Sequence, residues 1–192
     1  MQITRFVSGA CAVLLCGFSA TSSIPKSQAV STTKATPLIL EKDEGERRVW
    51  RGWPGHPEPG STFLLKVDPK NGGSSHLVFG TEDLTPGEKI DAHRHPGSDE
   101  ILFLQTGTAR VDLGDSVREV HGGSVVFIPA DTWISVSNAG AEVIHLAFIF
   151  SVPGFEDFMR DASAREGEKN VPLSKAEEDA LEKKHAHAVI YR

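Results

Sequence analysis

From residue 61 to residue 150 the chain alternates between short apolar runs and clusters of Gly, Pro, Asn and Asp. The run over residues 63–67 ends at Asp68-Pro69, and Asn71-Gly72-Gly73 is a strong turn signal before residues 76–79. Leu84-Thr85-Pro86-Gly87 marks another turn. Residues 101–105, 108–113, 116–120, 125–128, 133–136 and 143–150 continue the series, with Gly114-Asp115 closing a tight hairpin. Runs this short and closely spaced leave no room for the helices of βαβ units. The pattern predicts an all-β sandwich, jelly roll or barrel.

Past Pro153 the period changes. Phe155, Phe158 and Met159 fall at helical spacing, and Ser174-Lys175-Ala176-Glu177 is a capping box that opens a helix through about His185. Leu173, Ala176, Ala180 and Leu181 give that helix an apolar side, and the expectation is that the two C-terminal helices brace the outside of the strand domain.

The N-terminus has a different character. Arg5 precedes an apolar run over residues 6–18, too short for a membrane span and followed by small and polar residues. This is the layout of a secretory signal, assigned here to residues 1–29, with cleavage near Ala20 or Ala29. A lipoprotein anchored at Cys16 is the lesser alternative, because bulky Leu15 precedes the cysteine. Both cysteines, Cys11 and Cys16, lie in this segment, so an exported product has neither a disulfide nor a zinc-thiolate site. Residues 30–60 read as a linker and N-terminal arm, residues 61–153 as the strand domain and residues 154–192 as a helical segment. Trp50 and Trp53 lie in a Pro- and Gly-rich stretch and are expected to pack on the domain's wall, the alternative being a ligand-stacking lip.

The charge narrows the function. The net charge is −6, and losing residues 1–29, which carry Arg5 and Lys26 and no acid, takes it to −8. Such a chain offers no electrostatic footprint for nucleic acid, and no second apolar stretch is long enough to span a membrane. No Gly-x-Ser-x-Gly elbow or phosphate-cradling loop is present.

The candidate chemistry lies in residues 87–100. On a strand, residues two apart share a face, so His93 and His95 can present two imidazoles together while Arg94 points away. Pro96-Gly97-Ser98-Asp99 is a turn, and Glu100 starts the next strand. If the two strands pair, the Glu100 carboxylate joins the imidazoles in a facial set suited to a divalent metal with open positions.

This segment resembles the first motif of the cupin superfamily, whose Gly, His, His, Glu and Gly positions are matched by Gly87, His93, His95, Glu100 and Gly107. Gly123, Pro129 and Asn138 resemble the second motif. The resemblance implies a jelly-roll β-barrel, commonly a homodimer, that binds Fe, Mn, Ni, Zn or another divalent ion at its mouth and takes a small-molecule ligand there. Oxygenation, isomerisation and decarboxylation all fall within what it implies. Two positions depart from the family. Asp131 stands where the second motif has glycine, and Ile134 stands where the family's fourth ligand, a histidine, belongs.

Three readings follow. His93, His95 and Glu100 hold metal alone, or His145 on the following strand substitutes, or metal binding is lost and the pocket takes an organic ligand. Ile134, Val136 and Asn138 share strand parity and are candidates to line the pocket, Asn138 having a turn-stabilising alternative. His121 reads as a turn residue, His185 and His187 as surface residues, and no motif supports His56 or His76. The leading expectation is an exported metal-dependent enzyme acting on a small molecule. The alternative is a non-catalytic binder or sensor of a sugar or phenolic compound.

Overall fold

The computed structural model describes residues 34–192; the signal assigned to residues 1–29 lies outside them. No helix among the described residues is long and apolar enough to cross a membrane. Twelve strands and two helices follow one another in the order β1 (Glu46–Trp50), β2 (Thr62–Val67), β3 (Val78–Leu84), β4 (Lys89–Arg94), β5 (Glu100–Thr106), β6 (Thr108–Leu113), β7 (Ser116–His121), β8 (Val125–Ile128), β9 (Ile134–Ser137), β10 (Ile144–Phe150), α1 (Phe155–Asp161), β11 (Ser163–Arg165), α2 (Lys175–His185) and β12 (Ile190–Tyr191). The strands form a seven-stranded sheet, β11-β1-β2-β3-β10-β5-β8, and a five-stranded sheet, β12-β4-β9-β6-β7, with antiparallel pairing throughout. This is an all-β jelly roll with C-terminal helices.

Strand periodicity decides what faces the interior. Along β3, Val78, Gly80, Glu82 and Leu84 are buried while the residues between them are half exposed. Leu65, Leu102, Leu104, Ile134, Val136, Ile144 and Leu146 fill the space between the sheets. Gly107 joins β5 to β6 with φ 87°, and a Cβ there would lie 2.9 Å from the Cα of Ile144. Both the left-handed backbone and the close approach require glycine.

Two elements depart from the sequence-based expectation. The charged stretch before Trp50 forms β1, which pairs with β2 and β11. Arg48 is buried there. Its Nε donates to Ser163 Oγ at 2.7 Å, and its Nη2 donates to the carbonyls of Arg160 and Ser163. Arg160 in turn bridges Glu46 and the fully buried Asp68. Charge, rather than apolar alternation, holds this strand. Lys66 on β2 is buried likewise and donates to the carbonyls of Glu41, Lys42 and Glu44, tying the arm down.

The second correction concerns the helices. The capping box of α2 forms: Ser174 Oγ accepts from the Glu177 backbone, and Glu177 Oε2 accepts from the Ser174 backbone. The helical segment, however, does not merely brace an outer wall. Phe155, Phe158 and Met159 of α1 belong to the main core cluster, and β12 extends the second sheet beside β4. The segment therefore covers the barrel's open end. Aromatic and sulfur side chains at helical spacing mark the buried face, but they do not say which surface it meets.

Substituting Gly107→Ala is expected to cost about 2 kcal/mol, from the forced left-handed conformation together with the clash at Ile144. A lowered urea midpoint with an unchanged slope would register it.

Candidate metal centre

His93 is near the end of β4, His95 lies one residue beyond it, and Glu100 opens β5. Adjacent pairing of those strands is not what brings them together. β4 pairs with β9 and β12, while β5 pairs with β10 and β8, in the other sheet. The Pro96–Asp99 turn predicted from sequence carries the chain from one sheet to the other, so the three side chains converge across the barrel mouth. One ligand atom from each lies within 4.8 Å of the other two, and all three residues are buried.

Their hydrogen bonds select which atoms face inward. His93 Nδ1 is 2.8 Å from the Asp91 carbonyl, and His95 Nδ1 is 2.8 Å from the Ala188 carbonyl. A carbonyl only accepts, so each Nδ1 carries the proton and donates, leaving each Nε2 with a free lone pair. The rings meet edge to face, with centroids 4.9 Å apart. His95 Nε2 is 3.7 Å from Glu100 Oε2, and neither atom has a hydrogen-bond partner. Two anchored imidazoles and a carboxylate, with unpaired buried donor atoms aimed at one point, fit a divalent transition ion.

Electrostatics point the same way. Burial pushes the Glu100 carboxyl up to about 8, and the neighbouring Glu82 carboxylate adds to the shift. Burial pushes His95 down to about 3, with repulsion from His93 adding and the bond to Ala188 opposing, and burial lowers His93 as well. Without a cation the cluster prefers to be neutral; a bound cation reverses that preference for the carboxylate. Phe150 and Phe155 pack on His95 at 4.8 and 4.5 Å between ring centroids and restrict water on that side.

The remaining candidates divide. Ile134 and Val136 line the cavity above the cluster. The β4–β9 register sets Ile134 directly against His93, so a buried aliphatic side chain occupies the place of the family's fourth ligand. Asn138 does not line the cavity. Its amide donates to the carbonyls of Leu84 and Glu142, and its oxygen accepts from Gly140, which is the turn-stabilising role. His145 is also elsewhere, on the outward parity of β10, with Nδ1 2.7 Å from Asp83 Oδ1. His185 is not a surface residue: it is buried, with Nε2 2.7 Å from Asp161 Oδ2, tying α2 to α1. His121 and His187 are exposed, and His56 sits in a small bridge with Trp53 at the cavity rim. Asp131 adopts φ 62° in its family glycine's place, and its backbone N–H donates to the His95 carbonyl at 3.0 Å.

Sequence reasoning missed several cavity residues. Phe155, Phe158 and Tyr191 come from the C-terminal segment, Trp50 from β1 and Glu82 from β3, around a cavity of about 600 Å³. Glu82 had a signal: it shares parity with Val78 and Leu84, so the pattern that buries them buries a carboxylate. Trp50 packs on Phe63, 4.7 Å between ring centroids, as the expected wall packing requires, and it also lines the cavity.

Comparison with known proteins agrees with this fold. Residues 80–150 match the cupin domain family. It is 29% identical over 89 residues to protein SchB of Streptomyces halstedii, covering 46% of this chain and 64% of SchB. It is 28% identical over 92 residues to polyketide synthase CurC of Streptomyces cyaneus, covering 48% of this chain and 60% of CurC. The chain thus spans less than two thirds of the length of these curated relatives. Among solved structures, a protein of Thermotoga maritima described as a predicted oxalate decarboxylase superposes with a TM-score of 0.53. That match has 16% identity and covers 60% of this chain and all of the other, a likeness of fold.

The pKa shifts set a pH dependence for the metal-free protein. His95 binds fewer protons when folded, so its contribution rises with pH from about 3 to its ordinary 6.5 and then stops. Glu100 binds more protons when folded, so its contribution falls from its ordinary 4.5 to about 8. Between pH 6.5 and 8 only the Glu100 loss remains of these two. Thermal midpoints in chelator are expected to fall across that window, and to fall less in Glu100→Gln.

Proposed function

We propose that this protein is an exported, metal-dependent cupin that acts on a small organic molecule in the cavity at the barrel mouth. One observation carries the reading. His93 and His95 are locked by backbone carbonyls so that their Nε2 atoms converge on a buried, unpaired Glu100 carboxylate, with His93 and Glu100 in the wall of the chamber. Held by these residues, an Fe, Mn, Ni or Zn ion would supply a Lewis-acid centre with open positions for ligand oxygens. The chain's own part is to orient and to keep water out. Ile134, Val136, Leu146, Phe148 and Phe150 provide an apolar wall, and Phe155 and Phe158 cover it from above. The aromatic and aliphatic part of this lining suits a ring-bearing substrate better than a small polar one. The similarity to a polyketide synthase protein supports the same choice. Export rests on the signal-like residues 1–29.

A second reading, a non-catalytic binder of a phenolic compound or a sugar, is favoured by Ile134 alone, which makes the chamber more apolar where a ligand histidine would stand. Metal content separates the two. The protein, prepared without a histidine tag, is expected to hold near-stoichiometric metal by elemental analysis, and His93→Ala and Glu100→Ala are expected to lose it. A parent that stays empty after incubation with Fe(II), Mn(II), Ni(II) and Zn(II) would sink the metalloenzyme reading.

The homodimer is part of the same proposal. Phe103, Val125 and Phe127 are exposed side by side on β5 and β8, and β8 is the free edge of its sheet. Phe127→Glu is expected to move the protein from dimer to monomer in light scattering; a parent that is already monomeric contradicts this part.

A further inference from the structure

The cavity contains a carboxylate that the metal reading does not use. Glu82 is 6% exposed, lies on the inward parity of β3 and lines the same chamber as His93 and Glu100. Its Oε1 accepts twice, from Trp50 Nε1 at 2.7 Å and from Ser61 Oγ at 2.7 Å. No Lys, Arg or His pairs with it among the described residues. Its Oε2 takes part in none of these bonds and is not among the sealed, partnerless atoms, so it stays open to the chamber. The Tyr191 hydroxyl, which burial keeps protonated, also lines the chamber.

A purely structural role explains Oε1 but not the acid. A glutamine oxygen could accept from Trp50 and Ser61 equally well without the cost of burying a carboxylate that lacks a cation. The two donors occupy one oxygen and leave the other as the site where a proton can be taken up. Burial, opposed by the bonds from Ser61 and Trp50, raises the proton affinity of the group.

We propose that Glu82 is the proton acceptor for the substrate and restricts the chamber to hydroxyl-bearing ring compounds, phenols or enols, over small dicarboxylates. In the step it performs, the substrate O–H bond breaks and its electron pair remains on the substrate oxygen. The proton bonds to Glu82 Oε2, giving a neutral acid that returns it to the product. A dicarboxylate would place its second negative group against Glu82 and Glu100, and two of the lining cations are already paired with carboxylates. Arg51 is bound to Glu177 and Lys89 to Asp91, and Arg192 lies over the Trp133 ring at 4.3 Å. This substrate class rests on the chamber being the ligand site, as argued above, while the role of Glu82 stands on its own hydrogen bonds.

The test uses 4-nitrocatechol, whose absorbance changes on ionisation, with the full-length protein as isolated and after chelation, and with metal content measured for every sample. The parent is expected to bind the probe as its anion at a pH where the free probe is largely protonated. Glu82→Gln is expected to bind it about tenfold or more weakly, as loss of a charge-assisted contact implies, with metal content unchanged and the thermal midpoint not lowered. Oxalate is expected not to compete. Ser61→Ala removes one donor from Oε1, leaves the acid in place and is expected to shift the bound probe further towards its anion. No probe binding by the parent, unchanged ionisation in Glu82→Gln or Ser61→Ala, or displacement by oxalate would each overturn the proposal. An empty metal site with probe ionisation that still depends on Glu82 would instead remove the metal reading and leave this one standing.

Discussion

Two imidazoles and a carboxylate can face one another inside an apolar barrel only if every other polar atom they carry is accounted for. An unpaired Nδ1 in that setting would cost about 1–3 kcal/mol. Here the cost is met by two backbone carbonyls, Asp91 from β4 itself and Ala188 from the C-terminal segment. What remains unpaired is His95 Nε2 and Glu100 Oε2, which lie 3.7 Å apart. The arrangement makes the barrel mouth dependent on the segment that follows it: β12 must lie beside β4, and α1 must fold over the opening, for the second histidine to hold its orientation.

The same segment turns an open barrel into a chamber. Phe155 and Phe158 stack face to face, centroids 5.6 Å apart, above the candidate ligands, and Tyr191 approaches the His93 ring at 5.7 Å. The low polarity that results explains both the raised Glu100 carboxyl and the lowered histidines. It also gives Glu82 its interest, since a carboxylate kept in such surroundings without a cation is more basic than one at the surface.

Much of this was legible in the sequence. Alternating apolar residues between Gly and Pro turns predict the strands, and the His-x-His spacing with Glu100 after a tight turn predicts three side chains meeting at one end. Which strands pair was not legible, because β4 and β5 are adjacent in sequence and yet belong to opposite sheets. A turn of Pro96 to Asp99 does not by itself distinguish a hairpin from a crossing. β1 was hidden because its stability comes from Arg48, Glu46 and Arg160 rather than from apolar alternation. His145 and Asn138 fell on plausible strands, but their destinations depended on register, which a single sequence does not define. Glu82 could have been found by extending the parity of Val78 and Leu84 by one more residue type.

The bond from His95 to the Ala188 carbonyl has a consequence for anyone who redraws the boundaries of this protein. The barrel strands end at Phe150, and that is where a minimal fragment or a grafted scaffold would naturally be cut. Such a cut would preserve all three candidate ligands and still discard the partner that sets the tautomer of one of them. In this protein the portable unit of chemistry is longer than the portable unit of architecture, by the forty or so residues that look like an appendage.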